Sequence, residues 1–254
     1  MIFGFARQAP AKRQTVRERT HAVAGRVLPL KITENARAKR LTLRIDAGGR
    51  GLKITVPPGI AEREVERFLD RHTGWLETRL AKLPDKPDVR EGIRIPLRGV
   101  PHLIACDAGK RGAAHAMAGP DGPRIVVHGG PAQVGRRVAD LLKREARNDI
   151  EPLAMKHATA IGKRPRAIRF KDTSSRWGSC SSDGNLSFSW RIMMAPPTVI
   201  DYLVAHEVAH LKEMNHGPKF WALCRELCPR TDEAKAWLKR NGSKLQAIQF
   251  NSGS

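Results

Sequence analysis

In the segment VIDYLVAHEVAHLKEMNH, the residues His206, Glu207 and His210 form the pattern H-E-x-x-H. On an α-helix, residues i and i+4 share a face, so the two imidazoles can meet one metal ion. Glu207, one position on, can then lean towards a water that the ion holds. Six residues after His210, His216 precedes Gly217, where the helix should end and the chain turn back, so a third imidazole comes within reach. Three protein ligands with one open position is the pattern of catalytic zinc, whereas structural zinc usually closes with four ligands, mostly cysteines. Chance produces the five-residue pattern roughly 0.02 times in a chain of this composition, which makes satisfied core histidines the weaker reading. A Zn2+ ion so held lowers the pKa of its water, Glu207 takes the proton, and the hydroxide attacks a polarised carbonyl. Passing that proton to a leaving amine completes amide hydrolysis. Tyr202, Arg176 and backbone amides are all candidate donors to the tetrahedral oxyanion, and spacing does not choose among them.

Other chemistry-bearing residues weigh less. Cys224 and Cys228 fall i, i+4 on a predicted helix with no second pair near them in sequence, which favours core packing over metal binding. Cys180 is the more interesting thiol, because a cysteine close to the zinc would close its open position; packing as a small hydrophobe is the commoner fate. Trp177, beside Gly178 in an expected turn, is the tryptophan most suited to shape a substrate groove, while Trp190, Trp221 and Trp237 read as core. Arg176 suits a substrate carboxylate or an oxyanion, and equally a structural ion pair.

These residues need elements to hold them. Short β-type runs, RVLPLKIT, LTLRID and GLKITVP, begin at Arg26, and the last two are separated by the hairpin signal AGGR. They predict a small antiparallel sheet. Between Glu62 and Lys82, Val65, Phe68, Leu69, His72, Trp75, Leu76 and Leu80 recur at spacings of three and four, one face of an amphipathic helix that should cap that sheet. Strand-like segments follow around IRIPLRGVPHLIACD and PRIVVHG, with a loop between them. A long helix with a basic outer side is predicted from Pro131 towards Ile161, then strands at AIRFKD and NLSFSW flanking TSSRWGSCSSDG. Three helices close the chain, over about 198–214, 218–227 and 232–245. The expected fold class is α+β: a basic N-terminal arm over 1–26, a β-rich half over 27–130, a helical half over 131–247 built round the H-E-x-x-H helix, and a frayed tail over 248–254.

The chain has 254 residues, 41% of them hydrophobic, which excludes wholesale disorder. Its net charge of +21 predicts attraction to polyanions. Residues 1–60 carry 13 basic and 3 acidic side chains, and residues 136–171 carry 11 and 4, so the excess lies in two blocks while the segment after Asp172 is nearly neutral. Those two blocks are the candidate nucleic-acid surface, with a merely solvated basic surface as the alternative. No run suits a membrane helix or a secretory signal, and four unevenly spaced cysteines do not make a disulfide framework. A soluble, cytoplasmic protein with reduced thiols and no membrane partner is expected. A second functional reading is a non-enzymatic nucleic-acid-binding protein in which zinc only stabilises the fold.

In HEVAH, NHGPKFW and RWGSCSSDGNLSFSW, the chain closely resembles the YgjP-like metallopeptidases, zincin-type proteins akin to the SprT-like and WLM families. The resemblance spans about Leu28 to Leu245. It implies a protein or peptide substrate, zinc on His206, His210 and His216, and a catalytic Glu207. The family pattern R-W-G-S-C-S falls on Arg176 to Ser181, its N-W-R on Ser189 to Arg191, and its N-H-S-x-x-F-W on Asn215 to Trp221. Ser189 thus stands where asparagine is usual and Gly217 where serine is usual, and neither replaces a ligand. By analogy with SprT-like relatives, which act on DNA-associated proteins, the two basic blocks suggest nucleic-acid-associated substrates.

Overall fold

The computed structural model describes residues 16–250 apart from 47, 48, 50, 82–87 and 174–175. The chain divides into two units, at Leu83 and Pro84. In the first, β1 (Val16–Val23), β2 (Arg26–Glu34), β3 (Thr42–Ile45) and β4 (Leu52–Val56) form a sheet in the order β1-β2-β4-β3. Alternation decides which face is covered: Leu28, Leu30, Ile32, Leu52, Ile54 and Val56 are each at most 3% exposed. They pack against Val65 and Leu69 of helix α1 (Glu62–Arg71) and Leu76 and Leu80 of α2 (Thr73–Ala81).

Three expectations need correction here. The sheet is mixed rather than antiparallel, because β4 takes the place beside β2 and runs parallel to it, leaving β3 outside as an edge strand. The apolar alternation of LKITV suits the middle of the sheet, whereas β3 has no fully buried residue. The expected arm over 1–26 is a strand from Val16 onward, hairpinned to β2 through Ala24 and Gly25, both at positive φ, as a two-residue turn requires. Charged residues on β1 obscured it; Arg17 and Arg19 lie along an edge and pair with Glu62 and Glu66. Residues 1–15 lie outside the described residues. The single amphipathic helix is two, and its apolar face divides: Val65, Leu69, Leu76 and Leu80 are buried, but Trp75 is 42% exposed.

In the second unit, β5 (Arg94–Leu97), β6 (Val100–Asp107), β7 (His115–Met117) and β8 (Arg124–His128) form a sheet in the order β5-β6-β8-β7. Its apolar side, including Ile95, Leu97, Ile104, Ile125 and Val127, shares one core with Val134, Val138, Leu141 and Leu142 of helix α3 (Val134–Ala160). The strands expected to belong with the N-terminal half therefore belong with the long helix, and the boundary near residue 130 moves to Pro84. Strand β7 forms inside the segment read as a loop.

After α3 come β9 (Ala167–Lys171), β10 (Gly178–Cys180) and β11 (Asn185–Ser189), in the order β10-β11-β9. A 3-10 turn over Trp190–Met194 leads to helices α4 (Pro197–Ala209), α5 (Pro218–Leu227) and α6 (Thr231–Ala247). The half expected to be helical is thus itself mixed. The two-residue turn Arg98–Gly99, both at positive φ, ties this unit together. Its Arg98 amide donates to the Met193 carbonyl at 2.7 Å, and its guanidinium holds Asp149 and Glu145 on α3 at 2.7–2.8 Å. A Cβ on Gly99 would stand 3.1 Å from Pro196, so the turn is fitted closely to the residues that start α4. The tail is not frayed at its start: Arg191 donates to the Ile248 carbonyl, Val89 to the Gln249 carbonyl, and Phe250 meets Trp190 edge-on. Residues 251–254 lie outside the described residues. Among the described residues no helix is long and apolar enough to cross a membrane.

Candidate metal centre

Apart from Thr198 and Asp201, helix α4 is apolar until its last turn, which is close to the composition of a central helix. Pro197 occupies its first turn, where a missing N–H costs nothing. The helix ends at Ala209, five residues earlier than the sequence pattern suggested, with His210 as its cap. The carbonyls of Val208 and Ala209 accept the amides of Leu211, Lys212 and Glu213, a tight turn that sends the chain back. Asn215 then accepts the Gly217 amide, and α5 starts at Pro218. The consequence is that His216 returns to the face carrying His206 and His210.

The ligand atoms of His206, His210 and His216 lie within 4.8 Å of one another. The Nε2 atoms of His206 and His216 are 3.2 Å apart. Nitrogens bound about 2.0–2.1 Å from one tetrahedral zinc stand about 3.3–3.4 Å apart, so the pair is spaced as two ligands of one ion would be. His210 Nδ1 donates to the Glu213 carbonyl at 3.1 Å, which leaves Nε2 with its lone pair free for a metal. Burial, then His210, His216 and Lys235, push His206 down to about 4; burial first also lowers His210. Both are held as neutral imidazoles, the form that binds metal. Behind them Phe220 is fully buried, with its ring centroid 4.5–4.9 Å from those of all three histidines. The donor set therefore fits a metal of the zinc type.

Glu207 is 4% exposed, and its Oε2 has no hydrogen-bond partner. Burial pushes its carboxyl up to about 8 against the opposing pull of Arg176. Its other side lies against strand β10, where a Cβ on Gly178 would be 2.5 Å from Glu207 Oε1. Only glycine lets the carboxylate pass at that height. An open cleft of about 330 Å³ joins these parts, lined by the three histidines, Glu207, Met214, Arg176 and the three residues of β10.

The cleft sorts the other residues singled out from sequence. Arg176 is exposed at its rim. Cys180 lines it, with its Sγ donating to the Ser181 carbonyl and burial pushing the thiol up to about 11; the metal-sized group among the described residues is the three histidines. Trp177 is not a lining residue and packs instead over Gly242 of α6, where a Cβ would stand 3.1 Å from its Nε1. Tyr202 is 6% exposed, with its ring 5.8 Å from that of His206, one turn back along α4 and outside the lining. Cys224 and Cys228 are buried thiols. Of the two departures, Gly217 has open space around it, and Ser189 is fully buried with its hydroxyl unpartnered, away from the cleft lining. Sequence reasoning missed Met214, half exposed at the cleft, and Ser179; the R-W-G-S-C-S run was the available signal for the latter.

Residues 39–241 match the YgjP-like metallopeptidase domain. The chain belongs to that family. This YgjP-like chain is accordingly a metallopeptidase, an enzyme acting on protein or peptide substrates with a bound metal, and the reading as a non-enzymatic binding protein falls away. Two solved structures are similar over a smaller part. The metallopeptidase zymogen abylysin of Pyrococcus abyssi is 22% identical with a TM-score of 0.34, covering 39% of this chain and 98% of that one. The zymogen jannalysin of Methanocaldococcus jannaschii is 20% identical with a TM-score of 0.33, covering 37% and 96%. No curated protein matches the chain.

Proposed function

We propose that this chain hydrolyses peptide bonds at a zinc ion held by His206, His210 and His216, with Glu207 as the general base. The observation that carries the reading is the Glu207 carboxylate, buried and with one oxygen unpartnered, beside three imidazoles spaced as ligands of one ion. When bound, zinc supplies Lewis acidity, polarising a substrate carbonyl and acidifying water. Glu207 takes the proton that the water gives up as its oxygen attacks the carbonyl carbon, and then delivers that proton to the leaving amine nitrogen. A carboxyl held up by burial is suited to both tasks, since it is neither a strong acid nor indifferent near neutrality.

Strand β10 is the edge of its sheet and lines the cleft, so its outer backbone groups are available to an extended peptide by strand addition. Arg176 and the β10 amides are the donors within the cleft for the developing oxyanion; Tyr202, outside the lining, drops from that role.

The test combines metal analysis with hydrolysis of a quenched-fluorescent peptide pool. Glu207→Gln is expected to keep one zinc per chain and lose about 10²–10⁴-fold in rate. His216→Ala is expected to lose zinc. Unchanged hydrolysis in Glu207→Gln, or equal zinc in His216→Ala, refutes the assignment.

A further inference from the structure

The first unit carries a groove of about 480 Å³ between strand β3 and the two helices. Its floor is apolar, from Leu41 and Leu43, and its helix wall is a row of three rings, Phe68, His72 and Trp75. His72 and Phe68 lie with ring centroids 4.2 Å apart, and the His72 Nδ1 donates to the Phe68 carbonyl, so the row is held in place from within. Trp75 is 42% exposed, although Leu76, the next residue, is fully buried. Core packing accounts for Leu76 and does not account for an indole left at the mouth of a groove.

The segment that leads into β3 carries charge of one sign. No acidic residue occurs between Glu34 and Asp46, a stretch that holds Arg37, Lys39, Arg40 and Arg44. All four are exposed, and none makes an ion pair among the described residues. Arg40 lines the groove itself. On the opposite edge the situation is reversed: Arg17 and Arg19 on β1 are neutralised by Glu62 and Glu66 of α1. The unit therefore places Glu62 and Glu66 against β1 and leaves the segment that leads into β3 cationic.

We propose that this groove binds single-stranded nucleic acid, with bases stacked on Trp75 and its neighbouring rings and the phosphates following Arg40 and the cations that lead into β3. Exposed aromatic surface next to unpaired cations is the chemistry that single strands need, because every base has a face to stack and every linkage a charge to neutralise. An acidic peptide satisfies only the second requirement. Cations that merely guard an exposed strand edge need no aromatic wall.

The experiment is fluorescence anisotropy with the full chain and a labelled oligothymidylate of about 12 nucleotides, beside a duplex of equal length and a polyglutamate peptide. Binding is expected to favour the single strand and to weaken with salt. Trp75→Ala is expected to weaken it about 5- to 100-fold while Trp75→Phe stays within about threefold. Arg40→Gln is expected to reduce the slope of log affinity against log salt by about 0.7. Circular dichroism checks that each variant is folded, and Trp75, being at the surface, can be replaced without opening the core. Wild-type affinity in folded Trp75→Ala reduces the groove to plain basic surface and overturns the proposal. Equal affinity for polyglutamate overturns it in favour of an acidic protein partner, and so does the absence of oligonucleotide binding. None of these readouts requires hydrolysis, so they stand apart from the peptidase assignment.

Discussion

Replacing Gly178 with alanine adds one carbon to strand β10 and is expected to disable the site without touching a ligand. That carbon would lie 2.5 Å from Glu207 Oε1, 2.6 Å from its Cγ and 2.8 Å from its Cδ. Comfortable contacts begin near 3.5 Å, so the carboxylate or the strand must retreat by about 1 Å. Overpacking of this kind costs about 1–3 kcal/mol of stability, read as a fall of about 2–4 °C in melting temperature per kcal/mol. A 1 Å misplacement of a reacting group costs about 10²-fold in rate. Because the histidines are not displaced, zinc per chain should remain near wild type, which separates loss of the base from loss of the metal. Gly217→Ser is the matched control: it has open space where a side chain would stand, φ is −80°, and the residue caps α5, where serine serves as well as glycine. It should keep both zinc and hydrolysis. Wild-type hydrolysis by Gly178→Ala, with zinc bound, refutes the claim that the approach of β10 sets the position of Glu207.

Two further predictions concern what holds the second unit together. Arg191 is 2% exposed, donates to Asp172 and to the Ile248 carbonyl, and lies 4.8 Å from the ring centroids of both Trp190 and Phe250. Arg191→Ala should cost about 1–3 kcal/mol in urea denaturation, since it leaves the buried Ile248 carbonyl without its donor, whereas the Asp172 side chain, 43% exposed, stays solvated. Asp201 on α4 is pushed up by burial, but hydrogen bonds from His157 and Cys228 outweigh this and hold its carboxyl below the usual range. A lowered folded pKa gives stability that is present above the unfolded value, near 3.9, and is lost as pH falls through the folded value. Wild-type stability should therefore drop more steeply below about pH 4 than that of Asp201→Asn, as followed by urea denaturation across pH.

How much of this could be read from residues alone depended on the range of the interaction involved. The H-E-x-x-H spacing is local, and the third histidine needed only one turn beyond the helix, so the grouping of the three imidazoles was legible. The extent of α5 was legible for the same reason, because Pro218 and Gly217 mark its start. Strand order was not: nothing within LTLRID says that β4 rather than β3 will lie beside β2, since that choice follows from how much apolar surface each strand offers the helices. Trp177 shows the same limit from the other side. Next to a turn glycine it reads as a groove residue, yet its place is fixed by Gly242, 65 positions later, which leaves room for an indole on α6. Gly178 is the sharpest case. In sequence it is a glycine in a polar run and suggests a turn. In the structure it is an edge-strand residue whose missing side chain is the space occupied by Glu207, 29 positions away. Spacing along one helix can name imidazoles that will stand together. The placement of the base beside them depends on a strand from another part of the chain, and on that strand having no Cβ at the point of closest approach.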